Sequence, residues 1–321
     1  KRVALIGTGA TAVQCVPHLA RACGSLHVFQ RTPSSVDVRA NGPIDPDWFA
    51  GIATPGWQQR WLENFTDNQA GGTATEDWVQ DGWTDLSRRI RSKLVGLPRS
   101  ELTPQKMLAA FEDADFEKMS EIRARVDAIV GDADTASKLK AWYRQLCKRP
   151  CFHDEYYGAF NSPNVTLVDC PAGIDRITAA GPVVGGTQYE VDCIVYGTGF
   201  EAEVTPLQRR AGHEIVGRGG VTLAEKWADG AASLFGMTSS GFPNMFVMPA
   251  PGQQSVVTVN YTQIAVLGAE FVAGTIAALE DKGVRVFDVD AGAEADWIQQ
   301  IVDTYVDPSA VMSACTPSRL N

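Results

Sequence analysis

The chain has 321 residues, enough for a large core and two or three structural units. Its hydrophobic share of 45% and charged share of 21% are ordinary for a globular protein. The formal net charge of −10 argues against nucleic acid as the main partner, because a phosphate backbone requires a basic face, but leaves room for one basic pocket.

In chain order, the short apolar run Val3-Ala-Leu-Ile6 stops at Gly7-Thr-Gly9-Ala-Thr-Ala12, and a helical pattern follows. Strand, glycine turn and helix in that order predict the phosphate-grasping start of a dinucleotide-binding βαβ unit. Gly7 allows the tight turn, Gly9 admits a pyrophosphate close to the backbone, and Ala12 keeps helix and strand in contact. The pyrophosphate would then rest on the free N–H groups of the helix N-terminus. A second apolar run, Leu26-His-Val-Phe29, completes β–α–β.

Residues 37 to 82 are rich in Pro, Gly, Trp and Asp and predict a long irregular cover. From Trp83 to Leu146 the pattern is helical, with a helix start at Thr103-Pro-Gln-Lys-Met and two amphipathic helices over 115–130 and 135–146. Strand character returns at Val165-Thr-Leu-Val168, Val183-Val184 and Cys193-Ile-Val-Tyr196, with another short apolar run at Asn244-Met-Phe-Val-Met248. Residues 261 to 281 predict a long apolar helix, and no stretch is expected to approach the roughly 20 apolar residues a membrane span needs. The seven cysteines are odd in number and scattered, and they are expected to be buried, reduced thiols of a cytoplasmic protein.

The end of the second strand bears on the cofactor. An enzyme using NAD usually places a carboxylate there for the ribose 2′-hydroxyl, whereas this strand ends in Gln30-Arg31-Thr32. An Arg fork holds a 2′-phosphate that a carboxylate would repel, so the expected ligand is NADP(H); a solvated strand-end charge is the alternative for Arg31. A second glycine cluster, Tyr196-Gly197-Thr198-Gly199-Phe200, follows the strand that starts at Asp192 and is either a routine strand–turn or a crossing towards a flavin. Lys148-Arg149 is either an exposed helix end or part of a site. His153-Asp154-Glu155 has no second ligand cluster at suitable spacing, so no metal site is expected. No Gly-x-Ser-x-Gly elbow or other nucleophile arrangement is present.

Taken together these segments resemble the Baeyer–Villiger monooxygenases, which use FAD and NADPH. The likeness runs in order through Ile6-Gly-Thr-Gly-Ala-Thr11, Val28-Phe-Gln-Arg-Thr-Pro33, Cys147-Lys-Arg-Pro150 and Phe160-Asn-Ser-Pro-Asn-Val165. It continues through Thr198-Gly-Phe200, Gly241-Phe-Pro-Asn244 and Pro251-Gly-Gln-Gln-Ser255. Ser35-Val-Asp-Val38, Pro55-Gly-Trp-Gln-Gln59 and Lys148–Glu155 are similar to the branch acting on large or macrocyclic ketones, such as cyclopentadecanone monooxygenase.

The resemblance implies an oxygen atom from O2 inserted beside a ketone carbonyl to give an ester or lactone. It assigns Arg31 and Thr32, reinforced by Lys148, to the 2′-phosphate, and Arg149 to catalysis beside the flavin. A guanidinium suits that role because it stays charged and stabilises developing anions. Gly7, Thr8, Gly9, Ala10, Thr11, Gln14, Thr198, Gly199, Gln253 and Ser255 complete the implied cofactor contacts, and Cys315-Thr-Pro-Ser318 matches the start of a covering loop.

The implied fold class is α/β. A Rossmann-like NADP-binding domain (residues 1–40 and 147–195) carries a cover and helical insertion (41–146), and residues 196–321 return to an FAD domain. The family's earlier FAD-binding glycine unit and its His- and Trp-containing fingerprint have no counterpart here, so the chain is expected to be part of a longer enzyme and inactive alone. A related flavin monooxygenase oxidising nitrogen or sulfur is the second reading, and an NADP-binding subunit completed by a separate FAD-binding chain is the third. Ketone, O2 and the FAD-binding segment are the expected partners, with neither nucleic acid nor membrane.

Overall fold

The strand β1 (Arg2–Ile6) runs into helix α1 (Ala10–Ala22) and returns as β2 (Ser25–Gln30). The chain then forms β3 (Val36–Asp37), helices α2 (Pro46–Ile52), α3 (Trp57–Gln69), α4 (Gly82–Leu94), α5 (Pro104–Ile129) and α6 (Ala133–Leu139), and β4 (Cys151–Phe152). Strands β5 (Val165–Asp169), β6 (Arg176–Thr178), β7 (Gly181–Val184), β8 (Thr187–Gln188) and β9 (Cys193–Tyr196) follow. This computed structural model describes residues 1–69, 75–199, 211–248, 261–305, 313 and 315. Contacts divide the chain into two units, residues 1–61, 73–200 and 312–321, and residues 62–72 and 201–311.

In the first unit β5, β2, β1 and β9 form a parallel sheet in that order, with Val3 opposite both Leu26 and Cys193 and Leu26 opposite Val165. Val3, Ala4 and Leu5 are buried in succession, the pattern of a parallel strand covered on both faces. Val13 and Val16 of α1 pack with Leu5 and Val28 on one face, each burial stabilising by about 1.5–3 kcal/mol. On the other face Ala4, Phe29 and Val168 meet the antiparallel β6–β7–β8 segment and Tyr189, whose ring stands edge-on to Phe29 at 5.2 Å. The expected α/β class and parallel sheet are present.

The asparagines of Phe160-Asn-Ser-Pro-Asn-Val165 are helix caps. Asn164 Nδ2 donates to the carbonyls of Ala20 and Cys23, both at 2.9 Å, satisfying the open end of α1 just where β5 begins. Asn161 donates to Ile129 O at 2.7 Å and accepts from Gly131 N at 2.8 Å, which closes α5. At the opposite edge the Asp192 carboxylate accepts from the Arg2 backbone and guanidinium, both at 2.8 Å, pinning the start of β9 to the start of β1.

The helical insertion differs in detail from the sequence reading. A single helix, α5, spans 26 residues where a break before 115 was expected. Pro104 sits in its first turn, where a missing N–H is harmless, and the Thr103 side chain caps Lys106 N–H. The second helix stops at Leu139, because Ala141 and Tyr143 are drawn into a buried cluster with Met119, Ile122 and Cys147.

The region 37–82 is not wholly irregular. Asp45 caps α2 ahead of Pro46, and the Trp61 ring meets those of Trp48, Trp57 and Trp78 at 5.8–6.4 Å. Buried Lys118 of α5 ion-pairs with Asp37 of β3 and, at 2.8 Å, with Asp85 of α4. Burial alone would lower the Lys118 pKa, but the hydrogen bonds that its ammonium donates to the two carboxylates outweigh it and hold the group above its ordinary value.

In the second unit Lys226 Nζ donates to Ser240 O at 2.6 Å and pairs with buried Glu294 at 2.7 Å. A Thr222–Glu225 capping box starts the short helix Leu223–Lys226, and longer helices span Tyr261–Asp281, as expected, and Ala291–Thr304. The apolar run 244–248 forms no strand. Asn244 instead adopts φ +57° and exchanges hydrogen bonds with Phe287, and Val247 N–H donates to Met237 O. The expectation about apolar stretches needs correction. Thr262–Asp281, with mean hydropathy 1.5, is long and apolar enough to cross a membrane by length and composition. Charged positions such as Glu270 interrupt its apolar pattern without bringing it below that threshold, and only 6% of the apolar window is buried.

Two outcomes check this construction. Gly7 has φ +106°, and a Cβ there would lie 2.4 Å from Gly197 O, whereas a Cβ on Gly9 would meet nothing within 4 Å. Gly7→Ala should therefore destabilise by about 2–3 kcal/mol. Gly9→Ala should lose under about 1 kcal/mol, both read from urea midpoints at unchanged slope; equal losses would contradict the close approach. The second outcome concerns acid. The Arg2 hydrogen bonds lower the Asp192 pKa from 3.8 to about 2, so its contribution is present above pH 3.8 and is lost as pH falls through about 2. Asp192→Asn should flatten that part of the acid-unfolding curve, and an unchanged curve would remove Asp192 from it.

Candidate functional site

The C-terminal ends of β1, β2, β5 and β9 border one cleft of about 470 Å³. Gly7, Thr8, Gly9, Ala10 and Thr11 form one wall, Arg31 and Thr32 follow β2, Lys148 and Arg149 precede β4, and Thr198 and Gly199 follow β9. Parallel sheets bind ligands at this edge because strand ends and helix N-termini converge there.

Main-chain approach shapes the wall. Gly7 N–H donates to Phe29 O at 2.9 Å and Gly197 N–H donates to Ile6 O at 2.8 Å, so the two glycine turns lie side by side. A Cβ on Gly197 would lie 3.3 Å from Ile6 O and within ordinary contact of Ala12 at 3.6 Å, so the second turn passes close to both β1 and α1. Thr8 Oγ1 donates to Thr32 O at 2.8 Å, and Ser34 Oγ donates to Thr8 O at 2.6 Å. These two bonds latch the first glycine turn to the segment carrying Arg31. Gly9 is the N-cap of α1, and no side chain caps the helix there. The open space at Gly9 and that uncapped terminus form a cradle for an anion.

Local pairing of strands brings the cations together. Arg31-Thr32 lies shortly before β3 and Lys148-Arg149 shortly before β4, and β3 pairs in parallel with β4, Val36 opposite Cys151. Arg31 and Arg149 are exposed, and Lys148 is half-buried. Among the described residues none of the three has a carboxylate partner, whereas Arg2, Arg21, Arg39, Arg88 and Arg89 all do. Burial, and then the charge of Arg31, push the Lys148 pKa below the ordinary lysine value. A cation pair in that state gains when an anion arrives.

Other predicted positions fall elsewhere. Gln14 does not line the cleft, since its amide donates back to Ala10 O at 3.1 Å. Gln253 and Ser255 lie outside the described residues. His153-Asp154-Glu155 is a structural corner. Asp154 accepts the N–H groups of Arg39, Ala40 and Asn41, Glu155 pairs with Arg21 at 2.7 Å, and His153 Nδ1 accepts from Glu155 N. Among the described residues no group of three or more His, Cys, Asp or Glu side chains could hold a metal.

The expectation that all seven cysteines are reduced thiols is corrected. Cys147 and Cys315 form a disulfide with Cα atoms 5.2 Å apart, and the other five are free. A separation of 168 residues hides that proximity from the sequence. Sequence reasoning also missed Ser34, Cys170, Gly173, Ile174 and Gly197 on the cleft wall. For Cys170, the residue after β5, the available signal was its place at the C-terminal end of a parallel strand.

No family model matches the chain. Neopentalenolactone D synthase of Streptomyces avermitilis is 45% identical over 325 residues, covering 100% of this chain and 54% of that protein. A Baeyer–Villiger monooxygenase of Streptomyces coelicolor is 42% identical over all of this chain and 53% of its own length. The chain therefore spans about half the length of the curated relatives it matches. Among solved structures, the polycyclic ketone monooxygenase of Thermothelomyces thermophila superposes with a TM-score of 0.84 at 39% identity, covering 100% of this chain and 52% of that one. A crystal structure of OTEMO in complex with FAD and NADP gives a TM-score of 0.74 at 26% identity, over 99% of this chain and 59% of that one. Over the half of those proteins that it matches, the chain is similar throughout its length to Baeyer–Villiger monooxygenases.

Proposed function

We propose that this chain is the NADPH-binding and flavin-facing part of an FAD- and NADPH-dependent Baeyer–Villiger monooxygenase. The complete enzyme inserts one oxygen atom of O2 next to the carbonyl of a bulky ketone and yields an ester or lactone. The observation that carries the reading is the cleft itself, where an uncapped helix N-terminus and three cations without carboxylate partners among the described residues face one opening. The names of the polycyclic ketone monooxygenase and of OTEMO with FAD and NADP support the substrate class and the cofactors.

The residues present fit an NADP molecule. Its pyrophosphate is matched by the open cradle at Gly9 and the N–H groups of Ala10 and Thr11. Its 2′-phosphate is matched by the Arg31 guanidinium, the Thr32 hydroxyl and the Lys148 ammonium, which give charge-assisted hydrogen bonds without a competing carboxylate. When bound, NADPH and FAD supply the reducing equivalents and the activation of oxygen. Arg149, on the same wall, holds negative charge that develops at the reacting oxygen, a role suited to a group that stays protonated throughout. Thr198 and Gly199 present main chain towards the flavin side; Gly199, at φ +92° with nothing within 4 Å of a Cβ, leaves room for such an approach.

On this reading residues 1–40 and 147–195 make the nucleotide-binding domain, 41–146 its cover and helical insertion, and 196–321 the returning part of the FAD domain. Five free cysteines against one disulfide support a cytoplasmic location.

Two variants of the complete flavoprotein test the proposal. Arg31→Ala should raise the Kd for NADPH roughly tenfold to a hundredfold while changing that for NADH little. Equal losses for the two nucleotides would remove Arg31 from the 2′-phosphate. Arg149→Ala should keep NADP⁺ binding but lower ester formation on the order of a hundredfold or more. Unimpaired turnover in that variant, or flavin binding with no ester from any ketone in the unsubstituted protein, would overturn the assignment.

A further inference from the structure

The two arms of the cation pair meet at one side chain that lies outside the cleft. Tyr143 is buried, and its hydroxyl donates to Pro33 O at 2.7 Å and accepts from Ser35 N–H at 3.2 Å. The phenol thus spans the turn that directly follows Arg31-Thr32, the turn that Ser34 also fastens to the first glycine loop. The face of the same ring lies 5.6 Å from Lys148 Nζ, within range of a cation–π attraction. One rigid group therefore touches the Arg31 arm through the main chain and the Lys148 arm through its ring.

Those arms need something to hold them. Arg31 and Lys148 repel each other, and neither has a carboxylate partner among the described residues. Lys148 carries a flexible four-carbon stem, so an unrestrained ammonium would swing out towards water and away from Arg31. The negative face of an aromatic ring opposes that movement without neutralising the charge an anion must meet. A carboxylate in the same place would hold the lysine equally well, but it would repel the phosphate.

We propose that Tyr143 is the positioning residue that keeps the Arg31-Thr32 arm and Lys148 in register for a 2′-phosphate, and so sets the preference for NADP(H) over NAD(H). The inference rests on the assignment of that phosphate to Arg31 and Lys148. Tyr143 makes no contact with the nucleotide and acts only through the two arms.

The test is titration calorimetry of the complete flavoprotein with adenosine 2′,5′-bisphosphate and with 5′-AMP, which differ only in the 2′-phosphate. Four proteins are compared: unsubstituted, Tyr143→Phe, Tyr143→Leu and Arg31→Ala. Tyr143→Phe, which keeps the ring but loses both hydroxyl bonds, should weaken bisphosphate binding about threefold to tenfold with AMP little changed. Tyr143→Leu should weaken it further. In Tyr143→Leu the fall of bisphosphate affinity with rising pH should also begin at lower pH, because the ring no longer stabilises the protonated lysine. A purely structural role would lower the unfolding temperature and affect both ligands alike. If Arg31→Ala abolishes the bisphosphate preference while both Tyr143 variants keep it, or while they weaken both ligands equally, the role of Tyr143 is overturned. If Arg31→Ala leaves the preference intact, the phosphate assignment fails and the role of Tyr143 fails with it.

Discussion

The site depends on a close approach between two backbones. Gly7 ends β1, Gly197 follows β9, and a side chain on Gly7 would strike the Gly197 carbonyl at 2.4 Å. With the side chain absent, the two turns lie against each other and α1 starts directly above the sheet edge. Ala12, buried in the first turn of α1, is also near Gly197, 3.6 Å from where a Cβ there would sit. The cradle at Gly9, the latch from Thr8 to Thr32 and the placement of Thr198 and Gly199 all follow from how near those strands and that helix come. Widening the gap by one methyl group would move every one of these donors.

Electrostatics then adds what packing does not. The net charge of −10 describes the chain as a whole, whereas the described lining of the cleft holds Arg31, Lys148 and Arg149 and no carboxylate. Many cations elsewhere are paired, as Arg2 is with Asp192 and Glu190, and buried Lys118 with Asp37 and Asp85. The Lys118 network does more than neutralise charge. It ties α4 and α5 to β3, and the β3–β4 pairing brings Lys148 and Arg149 towards Arg31. The helical insertion thus supports the site from outside the sheet.

The asparagines of Asn161-Ser-Pro-Asn164 show how a motif shared with a family of enzymes can be wholly architectural. Both are committed to helix ends, and Asn164 joins the end of α1 to the start of β5 through two carbonyls. His153-Asp154-Glu155 is similar, a cluster with the composition of a ligand set whose groups are taken up by backbone N–H groups and Arg21.

The sequence by itself determined the strand–glycine–helix opening and the long helix Tyr261–Asp281. These are local patterns, in which spacing along the chain already implies proximity in space. It also determined the family likeness, because several modest motifs occur in a fixed order. It did not reveal the Cys147–Cys315 disulfide, the burial of Lys118 against Asp37, the role of Gly197 or the meeting of Tyr143 with both arms of the cation pair. Each of these joins residues far apart in the chain, and no periodicity records such a distance. For Gln14 the tertiary structure adds a bond that spacing does not fix, from its side-chain amide to Ala10 O. The tertiary structure decided which cations stay unpaired, because that depends on which carboxylates the folded chain brings near them.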